Sequence, residues 1–468
     1  MKYNFITRAL KYWLTLLRPF EISRLAKTLL PITCFLLLGL YSTAQNAPTT
    51  APSDTSSSLT LADCINYGLK HQPFVNQSYI QQAIVRANNA INLAGWLPQV
   101  SAGLSAAHYI QLPSSFVNGN PQKTGINNTA IPGVTVSQAI FTPGLLFAKR
   151  AAPLYIQQAQ QETDSTKIEV VAAVSKTFYA LLLTLEQVGV LKEDTVRLSQ
   201  SVTDAYHQYV GGIVDETDYE EATITLNNSK AQLKQATENI VPQYASLKQV
   251  MGLPPEQQFN ISFDTTQMTK DIDIDTTEQL QYEKRIEVKQ LATDKSLQKQ
   301  LTDYYHLAWL PTASAFYDYN YEFENNSLPS LFNGAYPYSY IGLSVSIPIF
   351  TGFARVQNER KSILQEKQLD WAGVTLKSQI YSEYTSALAN YKGNYYNLNV
   401  LDNNVAMAKR VYFVVTLQYK QGIVPYLNVI TAESDLITSE INYYNALFQL
   451  LSSKIDLEKS MGNIPVQP

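Results

Sequence analysis

The sequence predicts an α+β membrane protein: two long coiled helical hairpins and four short strands in one chain, arranged as a duplication. Three observations carry that prediction. The first is an internal repeat. Trp96-Leu97-Pro98 returns as Trp309-Leu310-Pro311 at an offset of 213, and Ile140-Phe141-Thr142 as Ile349-Phe350-Thr351 at 209. Tyr209, Gly212, Ile213, Val214, Met251 and Gly252 return as Tyr419, Gly422, Ile423, Val424, Met461 and Gly462 at 210. The second is a seven-residue apolar period held over a very long stretch. Ile380, Tyr384, Ala387, Tyr391, Asn394, Leu398, Leu401, Val405, Ala408, Tyr412, Val415 and Tyr419 form a seam that only Asn394 interrupts. The same positions 210 residues earlier run from Val170 to Tyr209 with three threonines among them. Such a seam supercoils helices left-handedly against a neighbour. The third is two-residue alternation after each Trp-Leu-Pro. From Thr312 the even positions are Thr, Ser, Phe, Asp, Asn and Glu, while the odd ones are Ala, Ala, Tyr, Tyr, Tyr and Phe.

In chain order, residues 1–44 read as an export signal: six basic residues precede an apolar run from Leu29 to Leu40, and Ser42-Thr43-Ala44 offers small residues for cleavage. The apolar run is too short to span a bilayer comfortably, and Cys34 lies inside it, a poor place for a lipid anchor. With the signal go six basic residues and Glu21, which takes the formal charge from −4 to −9. Residues 45–58 are a flexible leader rich in Ala, Pro, Thr and Ser. Repeat 1 covers 59–252. It has helices from Leu59 to Leu69 and from Pro73 to Trp96, then a strand with Val100, Ala102, Leu104 and Ala106 on one face. A loop from Gln111 to Pro132 leads to a second strand from Gly133 to Phe141. A helix from Leu145 to Val210, with Pro153 expected to disturb it, breaks at Gly211-Gly212. It returns from Asp215 to Met251 with a kink at Pro242. Residues 253–276 are an irregular linker. Repeat 2, 277–462, has a helix from Thr277 to Trp309, a strand, and a loop from Asn325 to Pro337. A strand with Ile341, Leu343, Val345, Ile347 and Ile349 on one face follows, then a second long hairpin broken at Gly422. Residues 463–468 are a tail.

Composition excludes several functions. An acidic chain with no basic cluster argues against nucleic acid. Only Cys64 survives signal removal, and the four histidines are scattered, so no intrachain disulfide, metal site or cofactor is expected. There is no glycine-rich phosphate loop and no nucleophile elbow, and nothing in the chain reads as an enzyme's active site.

At about 1.5 Å per residue a 65-residue helix is roughly 100 Å long, some three times a bilayer's hydrocarbon thickness, so these helices stand in water. The strands are of the length that crosses a bilayer with tilt. In lipid a strand survives only in a closed barrel, and single-chain barrels begin at about eight strands. Four strands are therefore either two soluble hairpins or one chain's share of a barrel pooled from several chains. Export, the repeat and the paired strands favour the second.

The carriers of a family resemblance are Leu59-Thr60-Leu61 with its following helix and Pro73, Trp96-Leu97-Pro98, and Ser137-Gln138-Ala139-Ile140-Phe141. Each repeat adds Tyr-x-x-Gly-Ile-Val, an alanine ten residues past the glycine (Ala222, Ala432), and Met-Gly. In order and in duplicate, these residues make the chain resemble the TolC-like outer-membrane efflux proteins over nearly all of its mature length. The resemblance implies a homotrimer with a 12-stranded barrel in the outer membrane and an α-helical barrel through the periplasm. Such a protein is the exit duct of a tripartite efflux pump or type I secretion system, passively exporting small molecules or polypeptides. Its partners would be a periplasmic adaptor and an inner-membrane transporter of the RND or ABC type. The alternative is a periplasmic adaptor or scaffold built on helical hairpins, which would carry one hairpin between soluble β-domains rather than two hairpins and two strand pairs.

The resemblance also implies a gate at the hairpin tips, formed by Tyr209, Gly212, Asp218 and Glu221 in repeat 1 and Tyr419, Gly422, Asn428 and Thr431 in repeat 2. In the family's best-known member a tyrosine and an arginine beside the second tip glycine bind an aspartate of the first repeat, and two aspartates form the constriction. Here Tyr419 and Asp218 match. Val424 stands in place of the arginine, and Asn428 and Thr431 in place of the aspartates. Ile213, Val214, Ile423 and Val424, apolar residues at a helical turn, form either a small buried cluster or a docking surface. Docking of an adaptor is the expectation, because a duct's tips must meet one and both repeats carry the pair.

Overall fold

The computed structural model describes residues 58–117, 119–262, 272, 274 and 278–466. The expected signal, the leader up to residue 57 and much of the linker lie outside the described residues. Strand β1 (Ser58–Leu59) leads into α1 (Leu61–His71). Thr60 caps α1: its hydroxyl accepts from the Asp63 amide, and the Asp63 carboxylate accepts from the Thr60 amide at 3.0 Å. This reciprocal box is what Leu59-Thr60-Leu61 encodes. Pro73 opens α2 (Pro73–Ala94) at a position where its missing N–H costs nothing.

Four strands form one antiparallel sheet in the order β2-β5-β7-β8: β2 (Gln99–His108), β5 (Asn128–Phe141), β7 (Thr312–Asn325) and β8 (Ala335–Ser346). The two expected strand pairs are thus one sheet, joined by β5 and β7. Register sorts its faces. Val100, Val136, Tyr317 and Ile341 align on one face, and Ser101, Thr135, Asp318 and Tyr340 on the other. The alternation read from the sequence therefore continues across all four strands. The register shifts between Ala139 and Phe141, so Ile140 sits at a bulge.

Several expected boundaries are corrected. The loop placed at 111–132 contains a hairpin, β3 (Ser114–Val117) with β4 (Asn120–Lys123), and β5 begins at Asn128. The loop placed at 325–337 holds a six-residue 3-10 helix, Leu328–Asn333, and β8 begins at Ala335. Ile347 and Ile349 lie beyond β8, which Pro348 helps to stop, since proline has no amide for the ladder. The aromatic run Tyr336, Tyr338 and Tyr340 hid the start of this strand, because it places large side chains on the polar face.

Helix α3 (Pro143–Val210) begins at Thr142, whose hydroxyl accepts from the Leu145 amide at 3.2 Å, and it runs on through Pro153. It is long and apolar enough to cross a membrane, yet half of its most apolar window is buried by neighbouring helices. The return is two helices, α4 (Glu216–Glu238) and α5 (Ile240–Met251). The break falls at Asn239 because the Pro242 ring cannot tolerate the carbonyl four residues back, that of Glu238. Strand β6 (Asn260–Ile261) pairs parallel with β1. In repeat 2 the helix expected from Thr277 begins only at Ile286: residues Tyr282–Lys284 are a 3-10 turn, followed by α6 (Ile286–Leu307). The second hairpin is α7 (Ala354–Lys420) and α8 (Tyr426–Met461).

Every residue of the α7 seam from Ile380 to Tyr419 is buried or half-buried. Its α3 counterpart behaves likewise except at the last position, Tyr209. Helices α3 and α8 run antiparallel and join the two repeats. Gln187 Nε2 donates to Asn445 Oδ1 at 3.2 Å, and Lys176 pairs with Asp456 at 2.5 Å and Lys459 with Glu169 at 2.6 Å. The main core lies where α1 and α5 wrap this pair, around Cys64, Phe178, Leu181, Leu247, Met251, Leu450 and Leu457. The Met-Gly endings close on equivalent places. A β carbon at Gly252 would come within 2.8 Å of Gln72 Cα, and one at Gly462 within 2.9 Å of the Lys284 carbonyl carbon. Each Trp-Leu-Pro junction is held by a cation over its indole, Lys149 over Trp96 at 5.5 Å and Arg355 over Trp309 at 4.1 Å.

Candidate functional site

The two hairpin tips are built by the same local chemistry. At the end of α3, Gly212 has φ +71° and donates to the Tyr209 carbonyl, while the Ile213 amide donates to the Gln208 carbonyl, both at 2.9 Å. At the end of α7, Gly422 also has φ +71°; its amide donates to Tyr419 O and that of Ile423 to Gln418 O, again at 2.9 Å. This double closure is the Schellman pattern, which needs a left-handed residue at the glycine. Gly211, at φ −77°, is an ordinary cap residue.

Beyond the turns the repeats diverge. Helix α4 starts at Asp215 with Glu216 and Asp218 in its first turn, where the helix dipole favours negative charge. Helix α8 starts after Pro425 with no acid there. Tyr419 is 6% exposed, whereas its counterpart Tyr209 is 37% exposed. Tyr419 belongs to a small tip core with Ala205, Ala222, Tyr426 and Val429. Ala222 and Ala432 are buried, so the alanine ten residues past each glycine marks a tight helix approach.

Of the residues expected to form a gate, the structure brings Tyr419 and Asp218 together. The phenol and carboxylate interact without a hydrogen bond, and the Tyr419 hydroxyl has no partner. Burial, and then the charges of Asp218 and Asp204, push the Tyr419 phenol up to about 12. Burial, and then Asp215, raise the Asp218 carboxyl. Glu221, Asn428 and Thr431 are exposed, and the Thr431 hydroxyl donates back to Leu427 O at 2.9 Å. The four apolar tip residues split. Ile213 and Ile423 are 73% and 69% exposed, while Val214 and Val424 are half-buried, Val424 against the tip core.

Sequence reasoning missed Tyr426, the largest fully buried side chain of the chain's described residues, and Asp204, whose carboxylate lies 4.0 Å from Lys420 Nζ. It also missed a buried charged group farther back along the hairpins: Asp194, Arg197 and Glu433. Neither Asp194 nor Glu433 sits on the seven-residue seam, and an acid off the seam reads as solvated. Only their packing between four helices reveals them.

The comparisons with known proteins bear on this architecture. Residues 65–253 match the family described as outer membrane efflux protein. Over that stretch the chain is similar to outer membrane efflux proteins. The rest of the chain shares the architecture, because solved structures align across both repeats. The outer membrane protein VceC of Vibrio cholerae aligns with a TM-score of 0.68 at 15% identity, covering 86% of this chain and 96% of that one. The outer membrane channel CmeC of Campylobacter jejuni aligns at 0.67 and 17%, covering 86% and 85%. The MtrE outer membrane channel of Neisseria gonorrhoeae, solved in its open state, aligns at 0.67 and 15%, covering 86% and 88%. No curated protein matches the sequence. At these identities the structural likeness is one of fold.

Proposed function

We propose that the chain is the outer-membrane exit duct of an export machine, with three copies pooling their strands into one barrel and their hairpins into a periplasmic tunnel. The observation that carries this is the four-stranded sheet. One face is apolar, the other polar, and its outer strands β2 and β8 have no further partner among the described residues. A sheet facing lipid cannot keep open edges, because every backbone group there must be bonded within the protein. Joining β8 of one copy to β2 of the next removes both edges, and three copies give twelve strands. Transport through such a duct is passive. Its energy and its cargo choice come from partners, which the family likeness suggests are a periplasmic adaptor and an inner-membrane transporter. The acidic first tip, with Asp215, Asp218 and Glu221, would favour cations at the periplasmic entrance.

The test is fractionation and reconstitution of the mature chain. It should partition with outer membranes in high salt, run as a trimer in detergent, and form channels in planar bilayers. Asp218→Asn with Glu221→Gln should lower the cation preference of those channels. Release from membranes by salt, as a soluble monomer, would point to a periplasmic scaffold instead.

A further inference from the structure

We propose that Asp194 and Glu433 share a single proton, and that this proton latches α8 to α3 several turns back from the hairpin tips. Both residues are 1% exposed. The two carboxyl groups flank the same Arg197 guanidinium, and the charge of each acts on the other. Arg197 is the cation beside them, with Nη2 3.6 Å from Asp194 Oδ1 and Nε 3.6 Å from Glu433 Oε1. Those distances give charge attraction without hydrogen bonds. As two carboxylates, the pair would leave Asp194 Oδ1 and both Glu433 oxygens buried with no donor. Only Asp194 Oδ2 is served, by the Ser229 hydroxyl of α4 at 2.6 Å.

The charge balance gives the same answer. Two buried negative charges face one arginine, and that arginine is also approached by the exposed Glu193 at 3.9 Å. On α7 the neighbours are the Tyr412 phenol, whose ring lies 6.0 Å from the Arg197 guanidinium carbon and whose hydroxyl faces Glu433 and opposes the upward shift of its carboxyl, and Lys409, which is taken up by Glu440 of α8 at 3.1 Å. Tyr426, also on α8, completes the set and carries no charge near neutrality. One proton added to the pair turns a carboxyl into a donor, supplies the missing hydrogen bond, and leaves one negative charge for Arg197. Burial, and then the Asp194 charge, raise Glu433 to about 7, so the proton resides there at mildly acidic pH.

The sign follows. The Glu433 value is raised above its ordinary 4.5, so the latch is complete below about 4.5 and is lost as pH rises through about 7. Across that window local opening of α8 from α3 should grow by up to about tenfold per pH unit. The latch does not rest on the export reading. Its consequence does: in a duct, acid would hold the second hairpin closed against the first.

The test is hydrogen exchange of α8 amides from Tyr426 to Glu440 in the assembled protein, corrected for intrinsic rates, from about pH 5 to about pH 8. The native chain should open at least tenfold more at the upper end, and Glu433→Gln should be flat. The same rise in both, or a flat native profile, overturns the proposal. Should Glu433→Gln fail to assemble, infrared spectra of the native chain with isotope-labelled glutamate decide. A protonated glutamate carboxyl must vanish as pH crosses about 7, and its absence at about pH 6 sinks the shared proton.

Discussion

Gly342 lies directly beneath the Phe316 ring, and a β carbon at 342 would stand 2.3 Å from Phe316 Cζ. The two residues are register partners on the polar face, and the ring also meets Tyr340 edge-on at 5.9 Å between centroids. A glycine covered by a cross-strand aromatic recovers packing that glycine itself cannot supply. Gly133 sits under Asn320 in the same way, with the amide oxygen 1.9 Å from where a β carbon would be. The polar face of β7 is therefore accommodated by glycines on both neighbouring strands.

Gly342→Ala should swing the ring away from Tyr340 and cost about 0.5–1.5 kcal/mol, the scale of an aromatic pair. In a Phe316→Ala background the same change should cost almost nothing. A double-mutant cycle on thermal stability measures the coupling, and additive effects would mean that the ring is not what fills the space.

Val345 and Ser344 are adjacent on β8 and lie on opposite faces. Val345 pairs in register with Ala313 on the apolar face, and Ser344 with Ser314 on the polar one. With the apolar face in lipid, Val345→Asp should impair membrane assembly, at a cost below the roughly 2–4 kcal/mol that a basic residue pays at the midplane. Ser344→Asp should assemble normally. Equal assembly of the two variants, measured as trimer yield from membranes, would reverse the face assignment.

The duplication, the long seams and the sheet faces were legible because each is a periodic signal sampled many times, and periodicity survives local exceptions. Boundaries were not, where one residue type obeyed two rules. Tyr336 and Tyr338 are good strand formers on the polar face, so the start of β8 read as loop. The sequence marks a kink at Pro242, but the steric reach of its ring is four residues back, and the break falls at Asn239. At the site, the turn glycines announced themselves through a backbone need that sequence can encode. The difference between Tyr209 and Tyr419 could not appear, since identical motifs are packed differently by neighbours from the other repeat. Asp194 and Glu433 are 239 residues apart in sequence, and nothing local in either marks the contact.

Gly422 and Gly462 are both left-handed, at φ +71° and +75°, yet they should respond differently to alanine. Around Gly422 the space for a β carbon is open, so Gly422→Ala carries only the left-handed penalty of about 1–2 kcal/mol. At Gly462 the β carbon would also press on the Lys284 backbone at 2.9 Å. Backbone cannot step aside as a side chain can, and Gly462→Ala should cost more than about 2 kcal/mol. Thermal unfolding of the two variants ranks them; a milder effect at 462 would mean that the core there yields.

Ile213 and Ile423 project from the tips with most of their surface in solvent, one in each repeat, at identical places in identical turns. Val424 already packs on the tip core, so the turn has an internal apolar anchor and does not need the isoleucine for its own stability. A paired exposed isoleucine is therefore available to a partner, and in the proposed duct that partner would be an adaptor meeting the tips. Ile213→Asp with Ile423→Asp should leave thermal stability within about 0.5 kcal/mol of the native chain, as surface changes do, and should abolish cross-linking to the adaptor. Val424→Asp is the control, since a charge against the tip core should cost stability first. Cross-linking unchanged in the double variant removes docking by these residues, and lost stability in it would mean that they are core after all.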